Sequence, residues 1–224
     1  MLKAVLFDHD GTLVDSEGVH CRHWQSVMAG HGVFLTETTY NRELLGIPNE
    51  ENAKWLIREF RIDATPESLI REKQIAAQNY LNENAFPLIP DAKQVIGLFR
   101  AAGIRTGVVS GAERIGPLST FDSYGLSASM DVLVTGDDVQ NRKPSPEGYL
   151  SAMAQLDLRP EECLAVEDSG TGVQAAAAAG LTCCAVPTIH TAHHDFSAAT
   201  HKMSSLTEVY EWAREAYDLS GYVY

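Results

Sequence analysis

A short apolar run breaks abruptly into acid near the start of the chain: Ala4-Val5-Leu6-Phe7 is followed by Asp8-His9-Asp10-Gly11-Thr12. Four continuous apolar residues are too few for a helix and read as a strand buried on both faces. Residues two apart in an extended chain point to the same side. Asp8 and Asp10 are therefore expected to face one spot, with Gly11 and Thr12 turning the chain away. Two close carboxylates repel, so a site that keeps both holds a cation or shares a proton. A chain that starts this way needs a sheet around the strand and partners from elsewhere to complete the acidic centre.

Four more runs read as strands: Ile104–Val109, Val132–Val134, Cys163–Val166 and Thr182–Val186. Helical patterns lie between and after them, at Asp91–Ala101, Glu113–Tyr124, Pro146–Leu156 and Gly172–Ala179, with Ser205–Tyr217 closing the chain. Gly103 and Gly180 stand where glycines follow helix ends. Strands alternating with helices of this length predict an α/β chain with a parallel sheet covered by helices on both faces. In such sheets a ligand sits beyond the carboxyl ends of the strands.

One interval does not fit a simple alternation. The first strand ends at Phe7 and the second begins near Ile104, whereas a βαβ unit needs only about 30 residues. The interval is helical in pattern: Glu17–Gly30, Thr36–Leu45, Asn49–Phe60 and Pro66–Leu81. Gly46-Ile47-Pro48 breaks it, and Thr65-Pro66 starts a helix with a capping residue and Pro at the first position. Residues 16–84 are expected to form a small helical domain inserted into a core made of residues 1–15 and 85–224. It would lie over the strand ends as a lid.

Polar residues follow each of the first four strands. After the second come Ser110-Gly111-Ala112, whose hydroxyl and backbone N–H groups suit an anion at a helix start. After the third comes Lys143-Pro144, a cation able to neutralise developing negative charge. After the fourth come Glu167-Asp168-Ser169-Gly170. Converging carboxylates, one Lys and one anion loop suit Mg²⁺ together with a phosphorylated ligand, since Mg²⁺ takes few protein oxygens and shares its shell with phosphate. One Asp can act as a covalent nucleophile and a second can carry protons.

Composition narrows the classes further. A net charge of −13 argues against a nucleic-acid partner, whose backbone attracts Lys and Arg patches. Hydrophobic residues make up 45% of the chain, enough for a sizeable core. No apolar run approaches the ~20 residues that span a bilayer, so no membrane partner is expected. Cys21, Cys163, Cys183 and Cys184 lack CxxC spacing and read as reduced thiols of a cytoplasmic protein. His190, His193, His194 and His201 cluster near Asp195 in a Thr/Ala/Ser-rich segment that reads as a solvated loop rather than a metal site.

Taken in order, Asp8-His9-Asp10-Gly11-Thr12-Leu13-Val14-Asp15, Ser110-Gly111, Lys143-Pro144 and Glu167-Asp168-Ser169 make the chain similar to the haloacid dehalogenase-like superfamily. Within it, the likeness is to helical-cap phosphatases and β-phosphoglucomutase-like enzymes. The resemblance implies a Rossmann-like core with an inserted cap. It implies that Asp8 attacks phosphorus, that Asp10 is the general acid/base, and that Ser110, Gly111 and Lys143 bind the transferring phosphoryl group. It also implies Mg²⁺ held by Asp8, the Asp10 backbone carbonyl and Asp168, with Glu167 nearby. The second acid at position 10 favours phosphoryl chemistry over dehalogenation.

The first cap helix carries Asp15, His20, Arg22 and Trp24 at places that match the mutases. The mutases, however, have an Arg just past a cap Gly. Here Gly46-Ile47-Pro48 leads to Asn49, and Leu45 precedes the Gly. Losing a bidentate phosphate fork is not a conservative change. A phosphatase for a small phosphorylated metabolite, a sugar phosphate among the candidates, is therefore expected ahead of a sugar-phosphate mutase. A non-catalytic phosphate sensor is the more distant alternative. His20 and Asn49 are the cap residues expected to meet the substrate, and the protein is expected to be a monomer or weak homodimer.

Overall fold

The computed structural model describes residues 1–219. Six parallel strands form one sheet in the order β3-β2-β1-β4-β5-β6: β1 (Ala4–Phe7), β2 (Arg105–Val109), β3 (Val132–Val134), β4 (Cys163–Glu167), β5 (Thr182–Ala185) and β6 (His201–Lys202). From β1 the chain builds outward through β2 and β3, then returns to lay β4 and β5 on the other side. The reversal falls between β1 and β4, where α/β sheets open a crevice at their carboxyl ends. The fold is thus the parallel α/β architecture expected from the strand–helix alternation, with the Rossmann-like core that the family resemblance implies.

The chain divides into two compact units, one of Met1–Asp15 with the chain from Pro87 on, and one of Ser16–Phe86. In the first unit the sheet is flanked by α5 (Ala92–Ala101), α6 (Ile115–Tyr124), α7 (Glu147–Leu156), α8 (Gly170–Ala178) and α9 (Leu206–Ala216). Side chains alternate across β1 as a strand requires. Ala4 and Leu6 join a fully buried cluster with Tyr149 and Met153 of α7 and Val173, Ala175 and Ala176 of α8. Phe7 points to the other face, its ring 6.2 Å from Phe99 of α5, which in turn meets Tyr210 of α9 at 5.1 Å. Both faces are dry, which is why the strands read as unbroken apolar runs. Ala177 and Ala178 of the alanine run are exposed, so only one side of α8 packs on the sheet.

The second unit consists of α1 (Glu17–Gly30), α2 (Glu37–Glu43), α3 (Asn49–Phe60) and α4 (Pro66–Glu83). Its core is built from Trp24, Val27, Met28, Leu35, Tyr40, Leu44, Leu56 and Leu69. α4 starts at a capping box between Thr65 and Ser68, with Pro66 in the first turn. Buried polar groups stand out here. Lys73 of α4 donates to Asn49 Oδ1 at 2.5 Å and lies 5.1 Å from the Trp24 ring centroid. The His20 ring lies 6.2 Å from that of His23 and 5.5 Å from that of Phe86.

Two expectations are corrected. The His-rich segment is not all loop: His201 and Lys202 form the edge strand β6, with the His201 ring 4.3 Å from Trp212. Two polar residues paired on one side carry no apolar signature. The helix expected from Glu113 begins at Ile115. All four cysteines are free and buried. Among the described residues, no helix is long and apolar enough to cross a membrane.

Candidate active site

Register explains how distant residues meet. Phe7 of β1 is level with Val108 of β2 and Val166 of β4. Asp8 therefore comes level with Val109 and Glu167, and its N–H continues the ladder to the Val166 carbonyl at 2.9 Å. By strand parity Asp8 and Glu167 share the face of Leu6 and Ala165, the one lined by α7 and α8. Lys143 reaches this point from the segment after β3. Its Nζ donates to Asp8 Oδ1 at 2.5 Å, to Glu167 Oε1 at 2.6 Å and to the Val109 carbonyl at 2.8 Å. It also sits 5.3 Å from the centroid of the Tyr149 ring.

Asp8, Glu167 and Asp168 form one acidic group, each offering an oxygen within 4.8 Å of the others. All three are buried. Burial, then the Asp8 and Glu167 charges, push Asp168 up to about 8. Burial pushes Asp8 up to about 7, with Lys143 opposing and Glu167 adding to the rise. Burial would lower Lys143, but the Asp8 and Glu167 carboxylates outweigh it and hold the ammonium well above its ordinary value. Were all three buried carboxylates ionised, one lysine would not balance them, and buried charge demands a partner.

The donor set fits a hard divalent cation. Glu167 Oε2 is buried and has no hydrogen-bond partner among the described residues. Two glycines cradle the acids. A Cβ on Gly172 of α8 would run into the Glu167 carboxylate, and one on Gly11, at φ +83, would run into that of Asp168. Among the described residues this is the group competent to hold a metal, and the histidines after β5 do not form one. His194 instead accepts from the Gly170 N–H at 3.3 Å, beside the start of α8.

Asp10 lies just past a bend at His9, and its charge is felt at both Asp8 and Asp168. Its Oδ2 lies 3.1 Å from His9 Nδ1. Ser110 is buried just past β2, with its N–H bonded to the Val134 carbonyl and its Oγ accepting from the Ala112 N–H at 3.0 Å. A Cβ on Gly111 would meet nothing within 4 Å, so open space adjoins its backbone. His20 and Asn49 belong to the helical unit, where Asn49 is bonded to Lys73. Sequence reasoning passed over Tyr149, whose hydroxyl donates to Glu167 Oε1 at 2.6 Å, and also Gly172 and His9. Only the six-residue step from Lys143 into the first turn of α7 hinted at Tyr149.

The chain resembles several known proteins. The chain is similar to hexitol phosphatase B of Escherichia coli O157:H7, 31% identical over 92% of this chain and 93% of that one. It is similar to validoxylamine A 7′-phosphate phosphatase of Streptomyces hygroscopicus subsp. limoneus, 30% identical over 93% and 96%. Among solved structures it resembles CbbY of Rhodobacter sphaeroides in complex with xylulose-(1,5)bisphosphate, at 30% identity, a TM-score of 0.78, and 93% and 96% coverage. The haloacid dehalogenase-like hydrolase model matches residues 2–180. With the acidic centre at the β1–β4 switch point and phosphatases among its relatives, the chain belongs to the haloacid dehalogenase-like hydrolase family and is a phosphoric monoester hydrolase.

Proposed function

We propose that the protein is a Mg²⁺-dependent phosphatase of small phosphorylated metabolites, sugar phosphates foremost, working through an aspartyl-phosphate on Asp8. The observation that carries this reading is the meeting of Asp8, Lys143, Glu167 and Asp168 at the carboxyl ends of β1 and β4. Asp8, Asp168 and the Asp10 backbone carbonyl would hold the metal, with Glu167 beside them. Bound there, Mg²⁺ supplies positive charge to offset the incoming phosphate dianion.

The chain's own residues do the rest. An Asp8 carboxylate oxygen attacks phosphorus as the bond to the leaving oxygen breaks, and Asp10 gives that oxygen a proton. Water then attacks the phosphoryl group, Asp10 takes up one of its protons, and the P–O bond to Asp8 breaks to release phosphate. Lys143, Ser110 and the Gly111 N–H line the place where the phosphoryl oxygens gain charge. Such esters hydrolyse so slowly unaided that a barrier reduction upwards of ~20 kcal/mol is required. We assign substrate choice to the helical unit, with His20 and Asn49 as the residues that meet the substrate. A hexitol phosphatase among the relatives supports a sugar-like leaving group.

The test is phosphate release from a panel of phosphorylated metabolites with Mg²⁺. Turnover abolished by Asp8→Asn supports the reading. Interconversion of sugar 1- and 6-phosphates faster than release, given a bisphosphate activator, moves the assignment to a mutase. Tight binding without turnover moves it to a sensor.

A further inference from the structure

His9 lies between the two acids of the opening motif, and the reading above gives it no role. Its ring is wholly buried. Nε2 lies 3.0 Å from Thr120 Oγ1 on α6, and the same hydroxyl donates to the Gly116 carbonyl at 3.1 Å. A carbonyl oxygen can only accept and a hydroxyl has one proton to give. Thr120 Oγ1 therefore accepts from His9, and Nε2 carries a hydrogen. On the other side of the ring, Nδ1 faces Asp10 Oδ2 at 3.1 Å. The direction of the hydrogen bonds is thus set from Gly116 through Thr120 to the imidazole, and one proton lies in the contact with Asp10.

We infer that His9 is the positioning residue of Asp10. The ring, locked by Thr120, engages Oδ2 and fixes the carboxyl rotamer, so that the Asp10 carboxyl is held in one geometry while it exchanges protons with the leaving oxygen and then with water. This rests on Asp10 being the general acid/base. A Phe, Leu or Met between the acids would fill the same buried space but could not hold a carboxyl by hydrogen bonding. The residue between the acids is thereby assigned a part in proton transfer as well as in packing.

Leaving groups separate the two ideas. p-Nitrophenolate departs with little protonation, whereas the alkoxide of glycerol 2-phosphate needs a proton. The intact Mg²⁺-loaded protein and its Asp10→Asn, His9→Phe, Thr120→Val and Thr120→Ser variants are assayed on both esters. General acid–base catalysis contributes about 10²–10⁴-fold, so Asp10→Asn is expected to lose that much more on glycerol 2-phosphate than on p-nitrophenyl phosphate. His9→Phe is expected to lose about 10–100-fold more on the alkyl ester, a partial loss of the same term. Thr120→Val shifts the ratio in the same direction, and Thr120→Ser keeps the wild-type ratio. Equal losses on both esters for His9→Phe and Thr120→Val, beside a split for Asp10→Asn, overturn this inference alone. No split for Asp10→Asn overturns it together with the role given to Asp10. Should His9→Phe fail to fold, the Thr120 pair decides.

Discussion

The Tyr149 hydroxyl donates to Glu167 Oε1 at 2.6 Å, and both residues are fully buried. The same oxygen takes the Lys143 bond, while Oε2 has no hydrogen-bond partner among the described residues. Burial, then the Glu167 charge, holds the phenol well above its ordinary value, so it remains a donor. Tyr149 thus ties α7 to the acidic centre through the same Glu167 oxygen that Lys143 holds. Tyr149→Phe keeps the ring under Lys143 but removes this bond. A hydrogen bond to a charged group contributes about 1.5–3 kcal/mol, and a loss of that size in denaturant unfolding is expected. The Mg²⁺ concentration for half-maximal activity should rise, because Glu167 is less firmly held.

Lys143 is the cation among the three acids, and its loss should be felt in stability and turnover alike. Breaking a buried ion pair by removing one partner costs about 3–5 kcal/mol. Lys143→Met keeps most of the side-chain volume and leaves the carboxylates uncompensated. Turnover should fall by about 10²–10³-fold, the scale of losing one preorganised group at the developing charge. Saturating Mg²⁺ should return part of the melting temperature but not the rate. Recovery of both would make Lys143 a structural counter-ion only.

The helical unit carries its own pH response. His23 is buried, its two ring nitrogens have no hydrogen-bond partner among the described residues, and its ring centroid lies 5.5 Å from that of Tyr80. Burial, with the Lys73 and Arg22 charges adding, pushes it down from 6.5 to about 4. Folded, the ring stays neutral, while the unfolded chain takes up a proton near 6.5. The associated stability is complete above pH 6.5 and is lost as pH falls from 6.5 toward 4. The loss is on the order of 2–3 kcal/mol. His23→Phe should therefore lose less stability than the wild type across that window in urea unfolding at pH 7, 5.5 and 4.5. Parallel curves would show that His23 does not titrate there.

Much of the architecture was legible because burial leaves a mark on one-dimensional sequence. The first strand, Ala4–Phe7, and the helix Asn49–Phe60 fall where their patterns place them. Both faces of the sheet are dry, so its strands are unbroken apolar runs, and Thr65-Pro66 announces its helix by capping chemistry. β6 was illegible, since His201 and Lys202 are polar and pair along one edge only. The acidic residues were legible as strand-end carboxylates, but their sorting was not. Glu167 and Asp8 share a face only through register across β1 and β4, and Asp168 is brought to them by the turn into α8. The contact between His9 and Thr120 spans 111 positions, and no local pattern encodes it.

Gly172 tests whether the acidic centre depends on close approach. It stands in the first turn of α8, its N–H capped by Ser169 Oγ at 3.1 Å. Its backbone conformation is helical, so alanine there carries no dihedral strain and by propensity would even favour the helix. A methyl group, however, would collide with the Glu167 carboxylate, which has the sheet behind it and Tyr149 and Lys143 fixing Oε1. Either α8 shifts outward or Glu167 leaves its place. Overpacking of this kind costs about 1–3 kcal/mol, and Gly172→Ala should melt lower than the wild type despite its better helix propensity. The displaced carboxylate should also weaken Mg²⁺ binding, read by titration calorimetry on the folded variant. An alanine variant with wild-type melting and wild-type Mg²⁺ affinity would show that Glu167 has room to yield, and that the close approach of α8 to β4 does not position the acidic centre.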